Sequence, residues 1–263
     1  MRRGWAAGLL AVALLAATPV AAEPVKVRLK EGNSRGFLAL RPPGGDPIAY
    51  GELVQKPVGT LIANRLFFNF KDGSVYDETV TFSQDGLYRL EAYRLTQKGP
   101  SFPLTEVAFD RRSGRYTART QDGKEGKVET ASGELEMPAD LYNGVALTLL
   151  KNLPARATAA AHMVVFMPKP RLIKMGLTQE GTDSARVGGA TRKANRYLVK
   201  LEVGGLTGVV ASLIGKEPPD LRYWLIPGEV QGFGKFEGAM FLKGPTWRIE
   251  QVPIEWVSSA ASR

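Results

Sequence analysis

Between residues 48 and 136 the chain repeats one pattern: a run of alternating apolar and polar residues reaches a glycine turn, then another run begins. The punctuation is Asp72-Gly73, Asp85-Gly86, Gly114 and Asp122-Gly123. Asp-Gly between alternating runs is a strong hairpin signal, because the glycine accepts the positive φ that a tight strand connection demands. The pattern predicts strands at 48–56, 61–70, 75–82, 87–97, 104–110, 115–120 and 127–136. Within 61–70, Ile62, Leu66, Phe68 and Phe70 share one face, and Arg65 and Asn69 take the other. Successive hairpins of this kind form an antiparallel meander, with one face on a core and one in water.

The period then changes. Residues 137–154, MPADLYNGVALTLLKNLP, place Leu141, Val145, Ala146, Leu149, Leu150 and Leu153 at helical spacing, which predicts a helix over 138–153. Asp140 suits its start, Lys151 its last turn, and Pro154 its stop. Gly144 weakens it by about 1 kcal/mol relative to alanine. Strands resume at 158–167 and 171–179, paired across Pro168-Lys169-Pro170. Tyr197, Val199, Leu201 and Val203 alternate with Arg196, Lys200 and Glu202 as a half-buried strand. An apolar segment, 206–214, is expected to be a helical turn or a lid, and 216–220 a loop. Residues 221–241, LRYWLIPGEVQGFGKFEGAMF, make two strands about Pro227-Gly228, and 246–252 a last one. The Gly- and Pro-rich stretch 31–46 reads as a loop after an N-terminal strand. The expected fold is mainly β (α+β): a single curved antiparallel sheet, a half-barrel, wrapping a mid-chain helix. Residues 23–257 form one domain and 258–263 a loose tail.

The first 22 residues read as a cleavable secretory signal. Arg2 and Arg3 precede an apolar run over 6–17, and Val20-Ala21-Ala22 supplies the small residues that signal peptidase reads. The run is shorter than the roughly 20 residues of a membrane span. Cleavage is expected after Ala22, giving a periplasmic or secreted protein. With no cysteine in the chain, neither a disulfide nor a lipid-modified cysteine can hold it. The formal charge is +9. The basic residues are scattered, which argues against nucleic acid and leaves peripheral contact with anionic membrane surfaces open.

Catalytic signatures are missing. The one histidine, His162, sits among small and apolar strand residues, with no G-x-S-x-G elbow anywhere. One histidine and no cysteine cannot build the usual zinc set, and no calcium loop is present, so no metal or cofactor is expected. Asp77 and Glu78 are adjacent on a strand and point to opposite faces. Glu134 and Glu136 share a face and read as solubilising. Gly232, Gly234 and Gly238 miss the dinucleotide spacing and lie in a strand context, where glycine marks a bend or a close neighbour. What stands out is aromatic. Trp224, Trp247 and Trp256 fall near the end, with Tyr223, Phe233, Phe236 and Phe241. Parity puts Phe233 and Phe241 on one face, Phe236 and Met240 on the other. They either fill a core or line an apolar groove on the concave face, for which the candidate residues are Trp224, Phe236, Trp247, Phe68 and Leu149.

The order of elements, with PADLYNGVALTLLKNL in mid-chain and DLRYWLIP and KFEG…WRIE near the end, resembles uncharacterised exported bacterial proteins. Their architecture is similar to the half-barrel of the LolA/LolB lipoprotein carriers. That resemblance implies a curved sheet around a helix with an apolar cavity for lipid. The chain lacks the anchoring cysteine of LolB-type members, and the resemblance transfers no site residues. The expected function is binding of an apolar or amphipathic ligand, such as lipid, in a cavity between sheet and helix. The alternatives are an envelope assembly protein that binds another protein through its sheet, and a hydrolase using acids such as Asp77, Glu78 or Glu237. The absence of a catalytic constellation points away from an enzyme.

Overall fold

The computed structural model describes residues 22–167, 169–202 and 220–253. Residues 1–21 of the expected signal, the apolar segment 206–214, Trp256 and the expected tail lie outside them. The strands are β1 (Ser34–Arg41), β2 (Ala49–Val58), β3 (Leu61–Phe70), β4 (Val75–Asp85), β5 (Leu87–Lys98), β6 (Thr105–Asp110), β7 (Arg115–Gln121) and β8 (Val128–Glu134). After helix α1 (Ala146–Asn152) come β9 (Thr158–Met167), β10 (Lys169–Val187), β11 (Ala190–Glu202), β12 (Leu221–Ile226), β13 (Gly232–Gly238) and β14 (Trp247–Gln251).

All of them join one 14-stranded antiparallel sheet in the order β8 to β1, then β14 to β9. Two meanders therefore meet at the β1–β14 pair, where Leu40 opposes Ile249. The sheet curves and does not close. The chain crosses from edge strand β8 to edge strand β9 through the segment that carries α1. There Leu141 bridges to His162, and Tyr142 N–H donates to the His162 carbonyl at 2.8 Å. Three bulges, at Thr81/Phe82, Gln179/Gly181 and Trp224/Leu225, supply local bending.

Two sequence expectations change here. Residues 34–41 are strand β1 rather than loop, because Leu38, Ala39 and Leu40 are all buried in a strand paired on both sides, with β2 and β14. The helix spans only Ala146–Asn152, and residues 137–145 are not helical. Asn143 explains the shortening. Its side chain mimics a strand: Nδ2 donates to the Val164 carbonyl at 2.8 Å, and Oδ1 accepts from Val164 N–H at 2.9 Å. Gly144 then takes φ +69, a left-handed conformation that ends any helical path. Asp140 does not cap α1. Its Oδ2 meets His162 Nδ1 at 2.8 Å, so the lone histidine is held in place on its strand.

The apolar residues of this crossover are buried all the same. Leu141, Leu149 and Leu150 join Phe82, Tyr88 and Leu90 in the main core, which fills one end of the half-barrel. An N-terminal strap seals that end. Tyr142 Oη accepts from Val25 N–H at 3.0 Å and donates to the Tyr88 carbonyl at 2.7 Å. Asn152 Oδ1 accepts from the N–H groups of Arg28 and Leu29 at 2.8 and 2.7 Å. Tyr88 Oη donates to the Leu29 carbonyl. Arg111 fixes the crossover from the sheet side, donating to the carbonyls of Leu90, Met137 and Pro138 at 2.6, 2.5 and 2.9 Å. A second cluster, built on Phe70, Phe102, Phe241 and Trp247, packs near the opposite end. Phe102 stands edge-on to Phe70 at 5.0 Å and to Trp247 at 5.5 Å.

Candidate functional site: a cavity in the half-barrel

Between these two clusters lies a cavity of about 960 Å³. Small-molecule sites typically measure about 300–1,000 Å³, so this one is at the upper end of that range. Strand register explains its walls. Leu53, Leu66, Glu78, Leu95, Val107 and Ala118 oppose one another in a row across β2 to β7. Of these, all but Ala118 line the cavity. The next row holds Asn64, Val80 and Tyr93, and the row on the other side Tyr76, Gln97, Thr105 and Thr120; these line it too. Met175, Val199, Leu201 and Tyr223 close it from β10, β11 and β12. Tyr142 to Gly144, Ala146 and Leu147 form its base.

Asp122, Lys124, Glu129 and Lys243 also line the cavity, and one further carboxyl, Glu78, sits in the apolar row itself. Strand parity sends Asp77 outward, to a two-point pair with Arg65 at 2.8 and 2.7 Å, and Glu78 inward. Glu78 is half-buried and lines the cavity. Tyr93 Oη donates to its Oε1 at 2.8 Å. Tyr76, two residues along the same strand, faces the same way, and its hydroxyl also favours the charged form of Glu78. Burial raises the Glu78 pKa above the usual carboxylate value, and the hydroxyls of Tyr93 and Tyr76 partly offset the rise. Burial, and then the nearness of Glu78, raises the pKa of Tyr76, Tyr93 and Tyr223. The three hydroxyls stay protonated as donors. No cation among the described residues pairs with Glu78. Gly144 makes this approach of loop and sheet geometrically feasible: a Cβ there would lie 2.5 Å from Val80 Cγ2 and 3.1 Å from Glu78 Cδ.

The aromatic candidates divide. Phe236 and Trp247 line the cavity, and Tyr223 packs on Phe236 with ring centroids 4.9 Å apart. Phe68 is fully buried in the second cluster, and Leu149 in the main core. Trp224 lies on the opposite face of the sheet from Leu225, in a small cluster with Ala185 and Ala194. Its indole donates to Asp183 at 3.2 Å, and Lys235 Nζ stands 3.7 Å from the ring centroid. Phe233 and Phe236 do not face opposite ways, as uninterrupted parity predicts; both line the cavity. Gly234 is the reason. Trp224 opposes Lys235 and Leu225 opposes Phe233, so Gly234 is an extra bulged residue that resets the parity. A Cβ at Gly234 would meet the Trp224 carbonyl at 2.9 Å.

Of the proposed hydrolytic acids only Glu78 reaches the cavity. Asp77 faces out, and Glu237 is bound by Arg248 at 2.7 Å and Lys235 at 3.1 Å. Among the described residues no three potential metal ligands gather. Glu78 was among the candidate hydrolytic acids but not among the groove residues, and Tyr76 and Tyr93 were not singled out. The signal that could have found them is parity: Glu78 alternates with Tyr76, Val80 and Phe82, all buried.

No protein-family model matches the chain, and no curated protein matches it. Among solved structures it is similar to a crystal structure of a β-barrel-like protein of domain of unknown function DUF1849 from Brucella abortus. Identity is 10 %, the match covers 85 % of this chain and 97 % of that one, and the TM-score is 0.44.

Proposed function

We propose that this protein is an exported half-barrel that binds an apolar or amphipathic ligand, lipid among them, in the cavity between sheet and helix. The observation that carries this reading is the cavity itself: about 960 Å³ of space walled by leucine, valine, methionine and aromatic side chains. Apolar walls of this extent favour a guest that removes them from water, at about 25 cal/mol for each Å² covered. Such a role fits the lipoprotein-carrier-like architecture expected from the sequence. Binding another protein through a sheet edge is less well supported. Edge strand β8 presents exposed Glu129, Thr130, Ser132 and Glu134, the charged and polar surface that discourages strand addition.

The test is to purify the protein without detergent, extract it with organic solvent and identify co-purifying amphiphiles by mass spectrometry, then rebind them to the stripped protein. Stoichiometric rebinding supports the proposal. A stripped protein that takes up neither extracted lipid nor any apolar probe overturns it.

A further inference from the structure

We propose that the cavity selects an alkylammonium: a ligand with an apolar chain and one protonated amine, seated at its buried end on Glu78. This rests on the ligand-binding reading above and specifies the chemistry of the guest.

The inference comes from a count of donors and acceptors. An ionised carboxylate offers about four lone-pair positions and no donor. Glu78 receives the Tyr93 hydroxyl on Oε1 at 2.8 Å, so acceptor capacity remains, and Glu78 lines the cavity. Asn64 lies one row away on β3, opposite Val80. It lines the same cavity, and its Oδ1 is buried with no hydrogen-bond partner. The nearby amide that could serve as a donor is already used: Asn143 spends both ends of its side chain on Val164. At Glu78 the unused capacity is therefore that of an acceptor; Lys124 and Lys243 also line the cavity, but neither pairs with it. An ammonium carries three donors and no acceptor, so it complements that capacity. A carboxylate guest is acceptor-only and would face Glu78 as a like charge. The walls agree with this choice. Tyr76, Tyr93, Tyr223 and Phe236 line the cavity, and aromatic faces attract cations, more strongly where water is excluded. The fold already half-buries Glu78, so part of the burial penalty of an ion pair is met before a ligand arrives.

The experiment compares decylamine, decanol and decanoate by isothermal titration calorimetry at pH 7, below their aggregation concentrations, on stripped wild-type protein and on Glu78→Gln. Circular dichroism checks the fold of the variant. Charge-assisted hydrogen bonds to Glu78 should make the amine bind about tenfold tighter than the alcohol or more, with decanoate weakest. Glu78→Gln should erase the preference for the amine over decanol. If decanol or decanoate binds wild type as well as the amine does, the inference fails and the ligand-binding reading stands. If the amine is preferred but Glu78→Gln keeps the preference, the assignment to Glu78 is overturned. If none of the three binds, both fail. The wild-type comparison decides the inference even if Glu78→Gln does not fold.

Discussion

Glu78→Gln should stabilise the ligand-free protein, and the gain should grow with pH. Burial raises the folded-state pKa of Glu78 above its ordinary 4.5. A raised carboxyl binds more protons folded than unfolded in the window between the two values. Stability therefore falls as pH rises through that window. Below about 4.5 both states are protonated and the penalty vanishes. Above the folded-state value both are ionised and the penalty is constant. Within the window it grows by about 1.4 kcal/mol per pH unit, the limit for one proton. Glutamine is nearly isosteric, cannot ionise and can still accept from Tyr93, so the variant escapes the penalty. The measurement is urea unfolding of stripped wild type and variant at intervals from pH 4 to 8, followed by tryptophan fluorescence. Subtracting the two curves cancels every other titrating group that the change leaves untouched. The difference should be near zero at pH 4 and turn in favour of the variant as pH rises. A variant less stable at pH 7, or a difference that does not vary with pH, would refute the reasoning. It would mean that Glu78 is ionised and compensated by a partner.

Gly144→Ala forces a left-handed residue to carry a Cβ 2.5 Å from Val80 Cγ2. The backbone penalty of about 1–2 kcal/mol and overpacking of about 1–3 kcal/mol should lower stability by about 2–5 kcal/mol, and an unchanged melting temperature would contradict this. Arg111→Met strips donors from the carbonyls of Leu90, Met137 and Pro138. At about 1.5–3 kcal/mol for a hydrogen bond to a charged group, a loss of at least about 2 kcal/mol is expected, with faster amide exchange over residues 137–143; unaltered exchange there would show that Arg111 does not hold the crossover. Export predicts that protein recovered from the envelope or medium begins at Glu23, which N-terminal sequencing reads directly, and recovery of an intact Met1 would refute processing.

Strands were legible wherever one face is apolar and the other polar. β3 and β9 match their expected limits, and the turns at Gly73, Gly86 and Gly114 fall where the glycines stand. The far halves of β10 and β11 were not legible. Their sequence, GTDSARVGGATRKAN, is polar at most positions, because little covers either face except where Ala185 and Ala194 receive Trp224. Only Gly188-Gly189, both at positive φ, announces that hairpin. The helix was overextended for the opposite reason. Burial continues through Leu141 and Val145 whether or not the backbone is helical, so apolar spacing could not reveal that Asn143 and Gly144 stop it. The site was half legible. Alternation separates Asp77 from Glu78, but which one faces inward depends on the whole sheet. Trp224 looked equivalent to Phe236 until the register, Tyr223 opposite Phe236 and Trp224 opposite Lys235, put the two on opposite faces.

The hollow follows from a mismatch of lengths. α1 has seven residues and spans about 10 Å at 1.5 Å per residue. The strands around it, such as β4 with 11 residues and β5 with 12, run for about 35–40 Å. One short helix can fill only one end of such a sheet, and curved sheets with many strands are wider than their own side chains can fill. Asn143 and Gly144 therefore do more than end a helix. By converting the first half of an apolar helical stripe into an extended crossover pinned to β9, they withdraw a filler from the middle of the half-barrel. The same two residues bring the loop against Glu78. A longer helix over 138–153 would occupy the space where the carboxyl now opens on the cavity. The truncation of α1, the buried acid and the empty volume are thus one structural fact, and a change that restores helix at Asn143-Gly144 should shrink the cavity and displace Glu78 together.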